Sequence, residues 1–174
     1  NSINALALSP DGSILYAGGD FTSIGGQTRR RIAALSTATG QATSWDPDAD
    51  NTVYALALSP DGLILYAGGA FGRIGGQTRN YIATLSTSTG QALFWDSAAS
   101  GDYNPSVRAL SLSPDGTTLF VGGTLSSIGG KLRIGLAALS TATGQATSWN
   151  PDANGYVHAL ALSPDGCMWA GTSP

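Results

Sequence analysis

The side chains able to carry chemistry in this chain are few: one histidine, His158, one cysteine, Cys167, and eleven acids, every one an aspartate. A lone histidine excludes a histidine-based metal cluster and an in-chain histidine pair, and Cys167 has no partner at metal-ligand spacing or for a disulfide. A Ser/His/Asp set could be drawn from the many serines and aspartates, but no Gly-x-Ser-x-Gly elbow exists to expose the nucleophile. Without glutamate, only aspartate remains for paired-carboxylate acid–base work. The expectation is a chain with no enzymatic activity and no cofactor. One acidic stretch merits weighing: Asp46, Asp48 and Asp50 alternate as do the first oxygen ligands of a calcium loop. That pattern then lapses, with Asn51 where glycine is usual and Tyr54 where a later acid would stand, so a polar turn is the better reading. The remaining residues suited to recognition are arginines and tyrosines, and their meaning depends on the elements that hold them.

Those elements repeat. A Ser-Pro-Asp-Gly turn occurs at Ser9 to Gly12, Ser59 to Gly62, Ser113 to Gly116 and Ser163 to Gly166, at spacings of 50, 54 and 50 residues. A period of this size marks a solenoid, propeller or array, in which one unit cannot bury its own apolar face and leans on the next. The repeats divide into 1–51, 52–105, 106–155 and a partial 156–174, expected as one arc over 1–174. With 24 glycines, one lysine and no glutamate, the composition favours turns and strands over helices.

Each unit carries four short apolar segments bounded by turn chemistry. Segment A (5–8, 55–58, 109–112, 159–162) alternates Ala or Ser with Leu at the strand period of two. Ser-Pro-Asp-Gly follows, with proline presetting one backbone angle and glycine free to take a positive one, and should close a tight A–B hairpin. Segment B (14–17, 64–67, 118–121) ends in Gly-Gly, which permits close backbone approach. After a loop ending in Ile-Gly-Gly comes segment C (32–35, 82–85, 136–139), then a Thr-Gly-Gln turn, then segment D (42–45, 92–95, 146–149), ending each time in Trp. Four strands per unit of this length read as an all-β chain with β-propeller blades: three complete four-stranded antiparallel blades and one A–B hairpin. A parallel β-helix is the competing architecture, but its coils are shorter and need no four-strand meander.

The run Leu15 to Arg29, followed by Ile32-Ala33-Ala34-Leu35 and a Thr-Gly turn, resembles the delta-60 type repeat of bacterial surface propellers. Gly-Gly after the second strand and Trp closing the fourth resemble kelch blades, and the Ser-Pro-Asp-Gly hairpin resembles WD40-type blades. This resemblance covers nearly the whole chain and implies architecture, not chemistry, since propellers host binding, scaffolding and catalysis on one frame.

A four-strand meander puts the A–B and C–D turns on one face and the B–C and D–A connections on the other. The first pair hardly change between units, whereas the second pair vary. The position opening segment A is Asn4, Tyr54, Arg108 and His158; the one after Gly-Gly is Asp20, Ala70 and Thr124. Before segment C stand Arg30, Asn80 and Ile134, then Arg31, Tyr81 and Gly135, and the D–A connection of the second unit gains four residues around Tyr103. Aromatics and arginine dominate binding surfaces. The expected ligand or partner face is therefore Tyr54, Arg108, His158, Arg30, Arg31, Tyr81, Tyr103 and Tyr156. The recurrent Arg29, Arg79 and Arg133, and the turn residues Asp11, Asp61, Asp115 and Asp165, are expected to serve the frame.

The fourth unit stops at Gly171-Thr172-Ser173-Pro174, short of segments C and D. An arc of three blades and a hairpin would leave apolar faces in water, which implies a homo-oligomer, with a dimer as the leading form, or a piece of a longer polypeptide. Two copies would bring eight A–B hairpins and six complete blades, and a head-to-tail contact that failed to close would make a fibre. A net charge of -3 gives no basic footprint for nucleic acid, and no apolar run approaches the roughly 20 residues of a membrane span. The function expected is a non-catalytic binding or scaffolding module in an extracellular or cell-envelope assembly, its partner a protein or a surface polymer. A lectin-like propeller binding carbohydrate is the alternative, and a fragment of a larger propeller enzyme the remote one.

Overall fold

The computed structural model describes residues 2–163 and 168–172. Its first repeat runs β1 (Ile3–Leu8), β2 (Ile14–Gly19), a two-residue pair β3 (Ser23–Ile24) and β4 (Gln27–Thr28), and β5 (Ile32–Ser36). The second repeats the order with β6 (Val53–Leu58), β7 (Ile64–Gly69), β8 (Arg73–Ile74), β9 (Gln77–Thr78) and β10 (Ile82–Ser86). The third has β11 (Val107–Leu112), β12 (Thr118–Gly123), β13 (Ser127–Ile128), β14 (Lys131–Leu132) and β15 (Leu136–Ser140), and the last described strands are β16 (Val157–Leu162) and β17 (Met168–Thr172). All strand pairs are antiparallel, in the sheets β1-β2-β5, β6-β7-β10, β11-β12-β15 and β16-β17. Among the described residues there is no helix, and so none long and apolar enough to cross a membrane. The all-β, propeller-type reading holds.

The A–B turns close as their chemistry dictates. Asp11 accepts the Ser13 N–H (3.1 Å) and the hydroxyls of Ser9 (2.6 Å) and Ser13 (2.8 Å), while Gly12 sits at φ 72°. Asp61 and Asp115 accept the matching groups in their turns. These donors, the serine hydroxyl first, hold Asp11 down from the ordinary 3.8 to about 2, and lower Asp61 and Asp115 in the same sense. The fourth turn, with Asp165, lies outside the described residues.

Segment D departs from expectation. It contributes no strand, only one bridged residue per unit: Ala42 to Leu35, Ala92 to Leu85 and Ala146 to Leu139. The cause is the small hairpin inserted between B and C. The ladder starts, with the Thr43 N–H on the Ala34 carbonyl at 2.9 Å, but the Thr43 carbonyl then takes the Arg29 guanidinium at 2.6 Å, and the Leu93 and Thr147 carbonyls take Arg79 and Arg133, while the outward N–H that opens D is held by the hairpin glycine, Ala42 on Gly25 at 2.9 Å. The hairpin tips also tie neighbouring repeats, with the Gly75 N–H on the Pro47 carbonyl and the Gly129 N–H on the Ser97 carbonyl, both 2.7 Å. Ile74 and Ile128 are driven into the core at the same junctions.

Freed from the ladder, each closing Trp turns across its blade. Trp45 meets Tyr16 edge to face at 5.2 Å, Trp95 meets Tyr66 at 6.2 Å and Trp149 meets Phe120 at 5.4 Å. Burial there raises the Tyr16 and Tyr66 phenols above their ordinary value. The indole N–H of Trp45 reaches the Ser86 carbonyl of the next repeat at 3.0 Å, and that of Trp95 reaches Ser140 at 3.3 Å. Trp45 is 6% exposed, but Trp149, whose indole has no such acceptor among the described residues, is 37% exposed.

Strands β1, β6, β11 and β16 lie side by side as the inner row. The last three each pack their opening valine onto a glycine of the preceding blade. A Cβ on Gly18 would stand 2.6 Å from Val53, one on Gly68 2.4 Å from Val107, and one on Gly122 2.7 Å from Val157.

Two outcomes follow. Gly68→Ala should cost about 1–3 kcal/mol in urea unfolding by overpacking, and the cost should largely vanish in a Val107→Ala background. Gly76→Ala, whose Cβ would meet nothing within 4 Å, should show no dependence on Val107. Because the turn aspartates are depressed in the folded state, their stabilisation is complete above the unfolded value of 3.8 and is lost as pH falls through their lowered folded values, about 2 for Asp11. The urea midpoint should therefore decline between those two pH values, and less steeply in an Asp11→Asn, Asp61→Asn, Asp115→Asn variant; parallel profiles would refute this origin.

Candidate functional site

The B–C and D–A connections meet on one side of the blades. The Ala70 N–H donates to the Thr52 carbonyl and the Gly72 N–H to the Asp50 carboxylate, both at 2.9 Å. On this side every inner strand carries a β-bulge, falling between Ile3 and Ala5, Val53 and Ala55, Val107 and Ala109, and Val157 and Ala159. The unpaired residues are Asn4, Tyr54, Arg108 and His158. A bulge bends the strand and re-aims its extra side chain without altering the alternation beyond it. These varied positions thus form one row across the inner strands. The row is connected: the Arg108 guanidinium carbon sits 5.1 Å over the Tyr54 ring, and the Asn4 amide N–H donates to the Val53 carbonyl at 3.2 Å. His158 is exposed at its end.

A second grouping gathers around the longer D–A connection. Tyr103, 82% exposed, and Tyr156 line a cleft of about 240 Å³ with Asp102, Thr124, Ser126 and Ile134. The insertion is pinned here by the Thr124 hydroxyl donating to the Asn104 carbonyl at 3.0 Å.

The other candidates sit closer to the frame. Arg31 and Tyr81 occupy left-handed backbone at φ 63° and 66°, where the third repeat has Gly135 at 68°. Neither a long nor an aromatic side chain favours that region, and local contacts hold both: Arg31 donates to the Ala49 carbonyl at 3.0 Å and lies 3.6 Å from Asp20, and Tyr81 packs on the core. Arg30 is well exposed and faces Asp48 at 3.8 Å.

Asp46, Asp48 and Asp50 line one groove of about 570 Å³ with Arg30 and Arg73. Each carboxylate already has a partner: Asp46 has Arg29 at 3.5 Å, Asp48 has Arg30, and Asp50 has the Gly72 N–H. Among the described residues no group of three or more acids, histidines or cysteines could hold a metal ion. Arg29, Arg79 and Arg133 reach the carbonyls of Thr43, Leu93 and Thr147 at 2.6, 2.8 and 2.9 Å. These bonds tie the small hairpin to segment D inside one repeat, not one blade to the next. Cys167 lies outside the described residues.

Residues 9–37 match a family described as "Domain of unknown function (DUF5122) beta-propeller". No curated protein matches the chain. Among solved structures, the hydrazine synthase of Kuenenia stuttgartiensis superposes with a TM-score of 0.63 at 21% identity, over 95% of this chain and 42% of that one. The chain thus spans less than half the length of that neighbour. At this identity the likeness establishes a propeller-type fold alone.

With all three aspartates of the 46–50 stretch occupied, millimolar calcium should leave the thermal midpoint where magnesium leaves it. A calcium-specific rise, abolished by Asp48→Asn, would reinstate the loop as a cation site.

Proposed function

We propose that this chain is a non-catalytic β-propeller module that binds through its B–C/D–A side and continues its blade row by head-to-tail contact with a second copy. The carrying observation is a mismatch between inner and end strands. Val53, Leu56 and Leu58 of β6 pack against the first repeat's core, and Leu110 and Leu112 of β11 against the second's. Their counterparts on β1, Ile3, Leu6 and Leu8, are 55%, 58% and 55% exposed. At the other end Gly171 holds the place of Gly18, Gly68 and Gly122, yet only Ala159 lies within 4 Å of where its Cβ would be. A knob of Ile3 and Leu6 has the shape the internal junctions put over such a glycine. A contact made this way is heterologous, and two copies closing on each other is its simplest ring.

The delta-60 kind of repeat, in an extracellular or envelope assembly, is the setting that fits this reading, with a protein or surface polymer as partner. Carbohydrate is the second candidate ligand, favoured by the Tyr103–Tyr156 cleft, since an exposed aromatic pair beside Asp102 suits stacking on a sugar ring with hydrogen bonds at its edge.

Light scattering after size exclusion tests the assembly. A discrete multiple of 17.6 kDa is expected across a concentration series, and Leu6→Asp should reduce it to the single-chain mass. A parent chain that stays at the single-chain mass at every concentration would overturn self-association. A glycan array probed with the parent and with Tyr103→Ala separates the ligand classes: glycan binding lost in the variant selects the lectin reading.

A further inference from the structure

The arginines of this molecule follow one rule with a single departure. Five are buried or partly so: Arg29, Arg31, Arg79, Arg108 and Arg133. Four of them donate to a backbone carbonyl, of Thr43, Ala49, Leu93 and Thr147, at 3.0 Å or less. Arg108 donates to nothing among the described residues and faces no carboxylate. Its Nε, like that of the other four, is shut from solvent without a hydrogen-bond partner; what sets Arg108 apart is that its Nη groups have no carbonyl either, and its one interaction is the face of Tyr54. A guanidinium taken from part of its water with no acceptor at all carries a cost that the other four offset through their carbonyl bonds.

Its surroundings are arranged, not incidental. Arg108 is the bulged residue of β11, so the distortion that breaks the ladder is what aims it. Tyr54, bulged on the neighbouring strand, sets its ring under the guanidinium carbon at 5.1 Å, and the two Nη groups donate to nothing among the described residues. Of the acids on this side, Asp20 is held by Arg31 and Asp50 by the Gly72 N–H, and Asp102, in the cleft beside Tyr103, forms no ion pair with Arg108. Asn4 and His158, the outer members of the row, can add an amide oxygen and ring nitrogens but bring no negative charge.

We propose that Arg108, backed by Tyr54, is a receptor for a carboxylate. A guanidinium presents two parallel N–H donors that match the two oxygens of a carboxylate, and the charge-assisted pair is the strongest such contact open to it. The carboxylate comes from a free organic acid or from an acidic side chain of a bound polypeptide. This inference names a ligand chemistry for the binding side proposed above and rests on that reading. It is independent of self-association.

The test is a titration of the ¹⁵N-labelled chain, following the arginine Nε–H resonances at constant ionic strength. The probes are acetate, succinate and a short blocked peptide containing aspartate, with chloride and inorganic phosphate as comparators. One resonance, assigned through its loss in Arg108→Gln, should shift saturably with the carboxylates and not with chloride. Affinity should fall about tenfold or more in Arg108→Gln, and Arg108→Lys, which keeps the charge without the fork, should restore only part. Saturation by acetate or succinate at the peptide's concentration range marks a free acid as the source, and much tighter peptide binding marks a polypeptide. Carboxylate shifts equal to those with chloride, or equal affinity in Arg108→Gln with the parent's near-ultraviolet Trp spectrum retained, would overturn the proposal. Either result would leave the light-scattering outcome, and with it the assembly reading, untouched.

Discussion

Everything in this molecule depends on a valine lying against a glycine. Gly18, Gly68 and Gly122 close the second strand of their blades, and each receives the first residue of an inner strand from the blade that follows. The space left for a Cβ is under 3 Å, so the inner strands can run side by side only because these positions carry no side chain. From that spacing the rest follows: the leucine three residues further on reaches back over the same glycine, Trp45 and Trp95 find a carbonyl in the next repeat, and the hairpin isoleucines Ile74 and Ile128 fill the space between. A repeat protein of this sort gains stability junction by junction, so one misfitted glycine is felt locally and twice, in the blade that carries it and the blade that leans on it.

The sequence makes such a frame readable where each residue has one task. Ser-Pro-Asp-Gly announces its hairpin because proline, aspartate and glycine each satisfy a different demand of the turn, and the carboxylate does accept the N–H groups the residue type implies. The terminal Gly-Gly announces close approach for the same reason. What escaped was any feature requiring knowledge of a competing partner. Segment D reads as a strand, with Ala, Leu or Ser and Trp in alternation, yet the carbonyl of its second residue is taken by the arginine that follows the small hairpin. The signal for that hairpin was present: Gly25-Gly26 at φ 57° and 77° is a two-residue turn with both angles positive, flanked by Ile and Gln. From sequence alone the same residues end a loop. The bulges were invisible, because a bulge is a property of two strands and not of one. The row Asn4, Tyr54, Arg108 and His158 could be picked out by its variation, but nothing in one strand says that its members are the residues expelled from the ladder.

That coincidence of variation with bulging has a physical reading. A residue whose backbone pairs in the ladder and whose side chain fits a blade face is constrained twice. A bulged residue is released from the ladder, and its side chain leaves the alternation, so substitution there disturbs neither neighbour. Asn, Tyr, Arg and His can therefore succeed one another at equivalent positions while the valine before and the alanine after stay nearly fixed. The same release explains why Arg108 lacks the carbonyl that Arg29, Arg79 and Arg133 find: those three sit on the hairpin beside segment D, where acceptors recur with the repeat, and Arg108 sits where the repeat has let go.

The bulge row and the junction faces are consequently carried by the same strands. The bulge row runs along the inner strands, and the inner strands are also the elements whose apolar sides make the junctions. Tyr54 and Arg108 meet because β6 and β11 are neighbours, and Asn4 reaches the Val53 carbonyl because β1 and β6 are. Among the described residues Asn4 and His158 stand at the ends of the row, each with a neighbour on one side. The shape of the bulged row is thus set by the junctions: each of its contacts exists because a valine over a glycine holds two inner strands side by side.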